Sequence, residues 1–231
     1  MNPEAILRKE DCEVQRTPEE LNAWIESVED QFHTDDRIEE DLIKRFFEEI
    51  RPLGHLAHHK YRGKPGISLR PKISDQNYDA EIIDTSAGNE NIRRVEFTSA
   101  YRDEDFALRL ELLDQHGGVF MTGPVWRNRS KASGGQVHVA PEFEDHQILL
   151  DKMLDTIKAR VANKLDKVYA ADTILVVVFD DTILYETDLP TLHPRFRDMV
   201  LRAQALGKFC AVFILGTSGR TLWEFGETIS T

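Results

Sequence analysis

The residues best placed to do chemistry are Asp79 and Glu96. Asp79 lies in NYDAEII and Glu96 in IRRVEFTSA, and the short loop DTSAGNEN joins the two segments. Both segments alternate as half-buried strands do. In the first, Tyr78, Ala80 and Ile82 share one face and Asp79 and Glu81 the other. In the second, Val95 and Phe97 share one face and Arg94, Glu96 and Thr98 the other. The Gly88-Asn89 step suits a hairpin connection slightly longer than the tightest type. Pairing of the two strands puts Asp79 and Glu96 on one face of a sheet. Carboxylates that converge on one spot repel unless a proton or a cation lies between them. The pair is therefore a candidate site for a hard divalent cation. The competing reading from spacing alone is a row of acids on the solvated face of a hairpin.

The elements that must position this pair lie on both sides of it. Thr17-Pro18-Glu19-Glu20 reads as a helix start, with Thr as N-cap and Glu20 completing a capping box. Leu21, Trp24, Ile25 and Val28 form its apolar stripe. A second helix buries Ile38, Leu42, Ile43, Phe46, Phe47 and Ile50 and is expected to close at Pro52-Leu53-Gly54. Its outer face carries Glu39, Glu40, Asp41, Glu48 and Glu49, which read as solvated charges. His55, His58 and His59 follow at a spacing that suits zinc only on a helix with a third ligand. Contact with phosphate, or plain surface exposure, is the simpler expectation.

Residues 66–73 read as a strand before the central hairpin. After Ala100, DEDFALRLELLDQHGG reads as a helix with Phe106, Leu110 and Leu113 inward and Gly117 as its stop. VFMTGPVW and GQVHVAP are two short strands joined by RNRSKASGG, and His138 is expected to face solvent. A long helix over residues 146–168 places Leu150, Leu154, Ile157, Val161, Leu165 and Val168 on one stripe, flanked by Lys158, Arg160, Lys164 and Lys167. Lysines beside a core stripe commonly just snorkel to solvent. Residues 172–179, DTILVVVF, are apolar without alternation and read as a strand buried on both faces. A helix over residues 194–206 and a buried strand over 209–215 complete a parallel crossover.

Composition bounds the function class. The chain has 231 residues, 41% of them hydrophobic and 30% charged, and a net charge of −12. That balance is ordinary for a water-soluble globular protein. No apolar run approaches the length that spans a bilayer, and acids occupy the start of the chain, so a cytoplasmic location and no membrane partner are expected. The two cysteines, Cys12 and Cys210, are far apart and are expected to be reduced thiols. The charge argues against a protein that coats nucleic acid over its whole surface, but it is segregated. Residues 1–50 hold sixteen acids and six bases. Residues 51–72 hold Arg51, Lys60, Arg62, Lys64, Arg70 and Lys72 and no acid, and Arg127, Arg129 and Lys131 form a second basic cluster. A locally positive groove on an acidic body follows, with a solvated loop as the plainer alternative.

Two segments mimic known phosphate chemistry and fail. VVVFDDTILY and ILGTSGRT look like the haloacid-dehalogenase phosphatase motifs, but that chemistry needs acids two residues apart and Asp180 and Asp181 are adjacent. Residues 216–220 are too short and wrongly spaced for a phosphate-binding loop and read as a turn.

The order helix, three strands, helix, strand, with Asp79 on the second strand and Glu96 on the third, resembles the PD-(D/E)XK nuclease-like superfamily, also called restriction-endonuclease-like. The resemblance covers residues 38–179. It implies an α/β fold: a mixed central sheet flanked by helices on both faces. Residues 1–37 would be an N-terminal helical extension and residues 180–231 a C-terminal helix and strand extension of a single domain. It also implies that Asp79 and Glu96, with Glu48 or Glu40 from the first core helix, hold Mg²⁺ or Mn²⁺. The family's third-strand lysine orients or activates the attacking water. Here that position is Thr98, which carries no positive charge. Lys158 or Lys164 from the long helix, or Lys60, would have to replace it. Lys60, Arg62, Lys64, Arg70, Lys72, Arg127, Arg129 and Lys131 would grip a phosphate backbone. The expected function is a metal-dependent nuclease. The alternative is a catalytically silent module of the same fold that binds nucleic acid, or a protein or second copy through its acidic N-terminal helices.

Overall fold

Capping and alternation build the elements as the residue types require. The Thr17 amide donates to the Glu20 carboxylate at 2.9 Å, and the Glu20 amide donates back to Thr17 Oγ1 at 3.3 Å. The start of the first long helix is thus closed by a reciprocal cap. The structure is a computed structural model that describes residues 7–34, 38–74, 76–101, 108, 112, 125–127, 135–139, 145–203 and 205–226. In it a one-turn helix α1 (Lys9–Cys12) precedes α2 (Pro18–Thr34).

The next helix does not stop at Pro52. α3 (Glu40–Arg45) runs into a π-turn (Phe46–Ile50) and on into α4 (Arg51–Tyr61). The Arg51 amide donates to the Phe46 carbonyl across the widened turn. Pro52 has no amide to return to a carbonyl of the preceding turn, and the π-turn lies directly before it. Gly54 faces α2: a Cβ there would lie 2.5 Å from Ile25 Cδ1, so glycine permits the close crossing.

Six strands form a mixed sheet: β1 (Ile67–Pro71), β2 (Ala80–Asp84), β3 (Asn91–Ser99), β6 (Thr173–Phe179), β7 (Ala211–Gly216) and β8 (Leu222–Gly226), paired in that order. β1, β2 and β3 are antiparallel neighbours, β6 is parallel to β3, β7 is parallel to β6, and β8 is antiparallel to β7. The short pair β4 (Val125–Arg127) and β5 (Val137–Val139) is separate. Strand β8 has no counterpart in the sequence reading; only Phe225 of its five residues is buried, too little for a pattern to register. Two further helices are α5 (His146–Leu165) and α6 (Leu189–Arg202).

Each face of the sheet has its own core. Ile82, Val95, Phe97, Ile174, Val176 and Phe213 pack with α2, α3 and α4. Leu175, Val177, Phe179, Val212 and Ile214 pack with α5 and α6. Strand β6 serves both and is buried along its whole length, as its unbroken apolar run requires. Three expectations are corrected. Val168 lies past the end of α5 and is 85% exposed. Helix α6 begins at Leu189, with Pro190 in its first turn and Pro194 inside it. His138 does not simply face water; its ring stacks on Trp126 with centroids 5.8 Å apart. The expected helix after Ala100, with Phe106, Leu110, Leu113 and Gly117, lies outside the described residues, although Leu108 and Leu112 are helical and buried. Among the described residues no helix is long and apolar enough to cross a membrane.

Candidate functional site

The hairpin delivers the two acids together. Ala80 pairs with Val95 across β2 and β3. One step further out, the Asp79 amide donates to the Val95 carbonyl at 2.8 Å, which sets Asp79 level with Glu96. The Phe97 amide donates to Asp79 Oδ2 at 2.6 Å and fixes that carboxylate against β3. Glu96 is only 6% exposed. Its Oε1 accepts from Lys164 Nζ at 2.5 Å and from the Tyr169 hydroxyl at 3.1 Å. Lys164 stands in the last turn of α5 and Tyr169 in the link to β6. Both reach Glu96 because α5 packs on the sheet face from which Glu96 projects.

A third carboxyl comes from the π-turn. Glu49 faces the same cavity, of about 430 Å³, as do Glu48, Asp79, Glu96, Thr98 and Lys164. Glu49 Oε2 is buried without a hydrogen bond, and Arg45 Nη1 lies 3.7 Å from it. Burial, and then the negative field of Asp79, push the Glu49 carboxyl up to about 8, against the pull of Arg45. Burial and the neighbouring Glu96 push Asp79 up to about 6, opposed by the Phe97 amide, Lys164 and Arg45. Burial and Glu96 also raise the Tyr169 phenol. The site is a polar cavity in which burial and crowding raise Glu49 and Asp79, near an ammonium held on Glu96. It can donate a proton from Glu49 at neutral pH, and it can receive a cation that displaces that proton.

The residues singled out by sequence divide cleanly. Asp79, Glu96, Thr98, Lys164 and Glu48 meet at the cavity. Lys158 is exposed on α5 and Glu40 is exposed at the start of α3, and neither lines it. Glu49, expected among the solvated acids, instead lies in the π-turn on the edge of the apolar stripe of Leu42 and Phe46 and faces the cavity. The signal was present in Pro52, a proline inside an otherwise helical pattern, which marks a place where regular helix geometry has to give. Tyr169 was missed as a partner of Glu96.

The basic stretch does not form one groove. Lys60 pairs with Glu224. Arg70 and Lys72 both serve the buried Glu81, the latter at 3.5 Å, and the Tyr78 hydroxyl completes that set at 2.8 Å. Tyr78 precedes the ladder of β2, so it turns to the Glu81 face instead of joining Ala80 and Ile82. Arg62 and Lys64 are exposed. Arg127 donates to the Gly135 carbonyl at 2.9 Å within the β4–β5 unit, and Arg129 and Lys131 lie outside the described residues. Among the described residues, the cations on the cavity wall are Lys44, Arg160 and Lys164.

Neither histidines nor the phosphatase-like segment makes a second centre. Burial and Arg51 push His55 down to about 4, and His59 Nε2 sits 2.5 Å from the Gly219 carbonyl. Asp181 is 1% exposed and accepts from the Ser218 amide, the Ser218 hydroxyl and the Thr221 hydroxyl, so it ties a turn. Among the described residues no group of three or more His, Cys, Asp or Glu side chains is arranged to hold a metal ion. No protein-family model, curated protein or solved structure matches the chain.

Proposed function

We propose that the protein is a metal-dependent phosphodiesterase acting on nucleic acid, built on a restriction-endonuclease-like core. The observation that carries this reading is the contact of Lys164 Nζ with Glu96 Oε1. Thr98 stands where the resembled family has its lysine, and Lys164 brings an ammonium to the same acid from α5. The strand order β1-β2-β3-β6, with β6 parallel to β3, supports the same core.

Asp79 and Glu96 are hard oxygen donors of the kind a divalent ion takes. Carboxylates from Asp79 and Glu96 meet in a polar cavity, and the orphaned Oε2 of Glu49 lies beside them. Asp79 and Glu96 would hold Mg²⁺ or Mn²⁺, with Glu49 and Glu48 at the edge. Bound there, the ion supplies charge neutralisation at phosphate and a water acidic enough to attack near neutral pH. The chain supplies the rest. The Phe97 amide and the Tyr169 hydroxyl hold the two acids in place. Lys164 keeps a positive charge beside Glu96, where negative charge grows on the phosphate. Lys44 and Arg160 attract the polyanion to the cavity wall.

The test begins with thermal melting in EDTA, Mg²⁺ and Mn²⁺. A ligand held only by the folded state at a hundred times its Kd stabilises by about 2.7 kcal/mol. A metal-dependent rise in Tm that Glu96→Ala removes is the expected result, followed by cleavage of labelled DNA or RNA. Lys164→Met should keep the metal response and lower turnover by about a hundredfold. Cleavage unchanged in Asp79→Ala would sink the assignment.

A second reading has its own observation. Lys164 already occupies Glu96, and Lys60, Arg70 and Lys72 are committed to internal acids. That arrangement suits a silent module of the same fold whose acidic N-terminal helices bind a basic protein partner. Its signature is a partner complex that survives Asp79→Ala and dissolves with salt.

A further inference from the structure

A larger cavity, of about 510 Å³, lies on the other face of the sheet and toward the opposite end of β3, β6 and β7. Its floor is core: Tyr61, Ile67, Ile174, Ala211 and Phe213 are all buried. Its size falls in the range of small-molecule sites, roughly 300–1,000 Å³, which combine apolar walls with a few polar groups. Charged side chains stand on the rim, and most are satisfied. Lys60 is paired with Glu224. Asp172 receives Arg94 Nη1 at 2.7 Å on both oxygens. Asp84 accepts from the Ser86 amide at 2.9 Å and the Ser86 hydroxyl at 2.6 Å. Two cations remain. Among the described residues, neither Lys64 nor Arg93 has a carboxylate within ion-pair distance. Lys64 instead lies 5.8 Å from the centroid of the Tyr61 ring. Set against Asp84, they leave one positive charge in surplus above an apolar floor.

We infer that this cavity binds a small amphipathic monoanion. A flat apolar body rests on Ile174 and Phe213, and a single carboxylate or sulfonate head lies between Lys64 and Arg93. A polyanion is disfavoured, because Asp84 and Glu224 share the rim and repel its further charges. The site is separate from the Asp79–Glu96 cavity and does not depend on the proposed activity.

Cys210 provides the handle for a test. It is exposed and lines the cavity, whereas the other cysteine of the chain, Cys12, is fully buried; burial raises both thiols, Cys12 to about 12, so access decides which one reacts. N-ethylmaleimide should therefore modify Cys210 alone. The probe is 8-anilinonaphthalene-1-sulfonate, an aromatic monoanion, titrated by fluorescence into the full chain. One saturable site is expected. Arg93→Gln and Lys64→Gln should each weaken it about tenfold, since a hydrogen bond to a charged group is worth about that factor. Prior N-ethylmaleimide treatment should abolish binding to the natural protein and leave Cys210→Ser unaffected. Equal Tm values for all forms show that the fold is intact. Absence of saturable binding, or binding indifferent to both Arg93→Gln and N-ethylmaleimide, overturns the site. A neutral N-phenylnaphthylamine that binds as tightly as the sulfonate overturns the anionic head.

Discussion

Glu49 and Asp79 hold protons at pH values where exposed carboxyls have lost them, and that has a measurable cost. The Glu49 carboxyl is raised from 4.5 to about 8 and Asp79 from 3.8 to about 6. Between those limits the folded chain binds more protons than the unfolded one, so stability falls as pH rises. The contribution is whole below the unfolded values and gone above the folded ones. His55 acts in the opposite direction. It is lowered from 6.5 to about 4, so its share is present above pH 6.5 and lost as pH falls through 4. The two effects oppose each other at acid pH, and the loss due to Glu49 stands alone between about pH 6.5 and 8. Urea unfolding across that window should show a decline of about 2 kcal/mol, and Glu49→Gln should flatten it. A level profile in the natural protein would contradict the burial of that acid.

The same acids show what the sequence could and could not disclose. Alternation in two short strands was enough to bring Asp79, Glu96 and Thr98 to one face. Choosing Lys164 over Lys158 needed the docking of α5 on the sheet, a contact between distant segments that no local period encodes. Glu49 lies one turn beyond Phe46 and two beyond Leu42, at the edge of their stripe, and its enclosure depends on the hairpin that packs there, which no local period encodes.

At the scale of elements, the turn between β7 and β8 is pinned to the end of β6 by Asp181. Four donors converge on its carboxylate, and Gly216 leaves the space, since a Cβ there would lie 2.1 Å from Asp181 Oδ2. Asp181→Asn turns an acceptor into a donor among donors and should cost about 2 kcal/mol. Gly216→Ala forces a tightly held carboxylate aside and should cost about 3 kcal/mol. Both are read as a fall in Tm, with any metal-induced rise preserved because the carboxylate cavity is untouched. A loss under 0.5 kcal/mol for Asp181→Asn would show the tie to be idle. The phosphatase-like look of FDDT and GTSGRT thus has a structural cause: acid and hydroxyls at the ends of adjacent parallel strands serve one another. Helix α2 and the buried strand β6 were legible because a cap and an unbroken apolar run are local signals. The continuation through Pro52 and the strand β8 were not, since one depends on a π-turn and the other on pairing with β7.

For the molecule as a whole, charge decides how nucleic acid would be held. The chain carries a net charge of −12, and the carboxylate cavity offers Lys44, Arg160 and Lys164. Each phosphate neutralised on duplex DNA contributes about −0.9 to the slope of log K against log salt. Binding through this wall should therefore give a slope no steeper than about −3, and fluorescence anisotropy at several salt concentrations would measure it. A slope near −6 would require a basic surface elsewhere. The topology also sets an order of assembly. Strands β2 and β3 are joined by a short loop, so Asp79 and Glu96 meet through local chain closure. Lys164 reaches them only when β6 takes its place beside β3, across more than seventy intervening residues, and such non-local parallel pairing closes late and slowly. The acid pair belongs to the part of the fold that forms first and its ammonium to the part that forms last. If the ammonium docks after the rate-limiting step, Lys164→Met speeds unfolding in urea and leaves the folding rate alone; a slowed folding rate would place the β3–β6 pairing in the transition state.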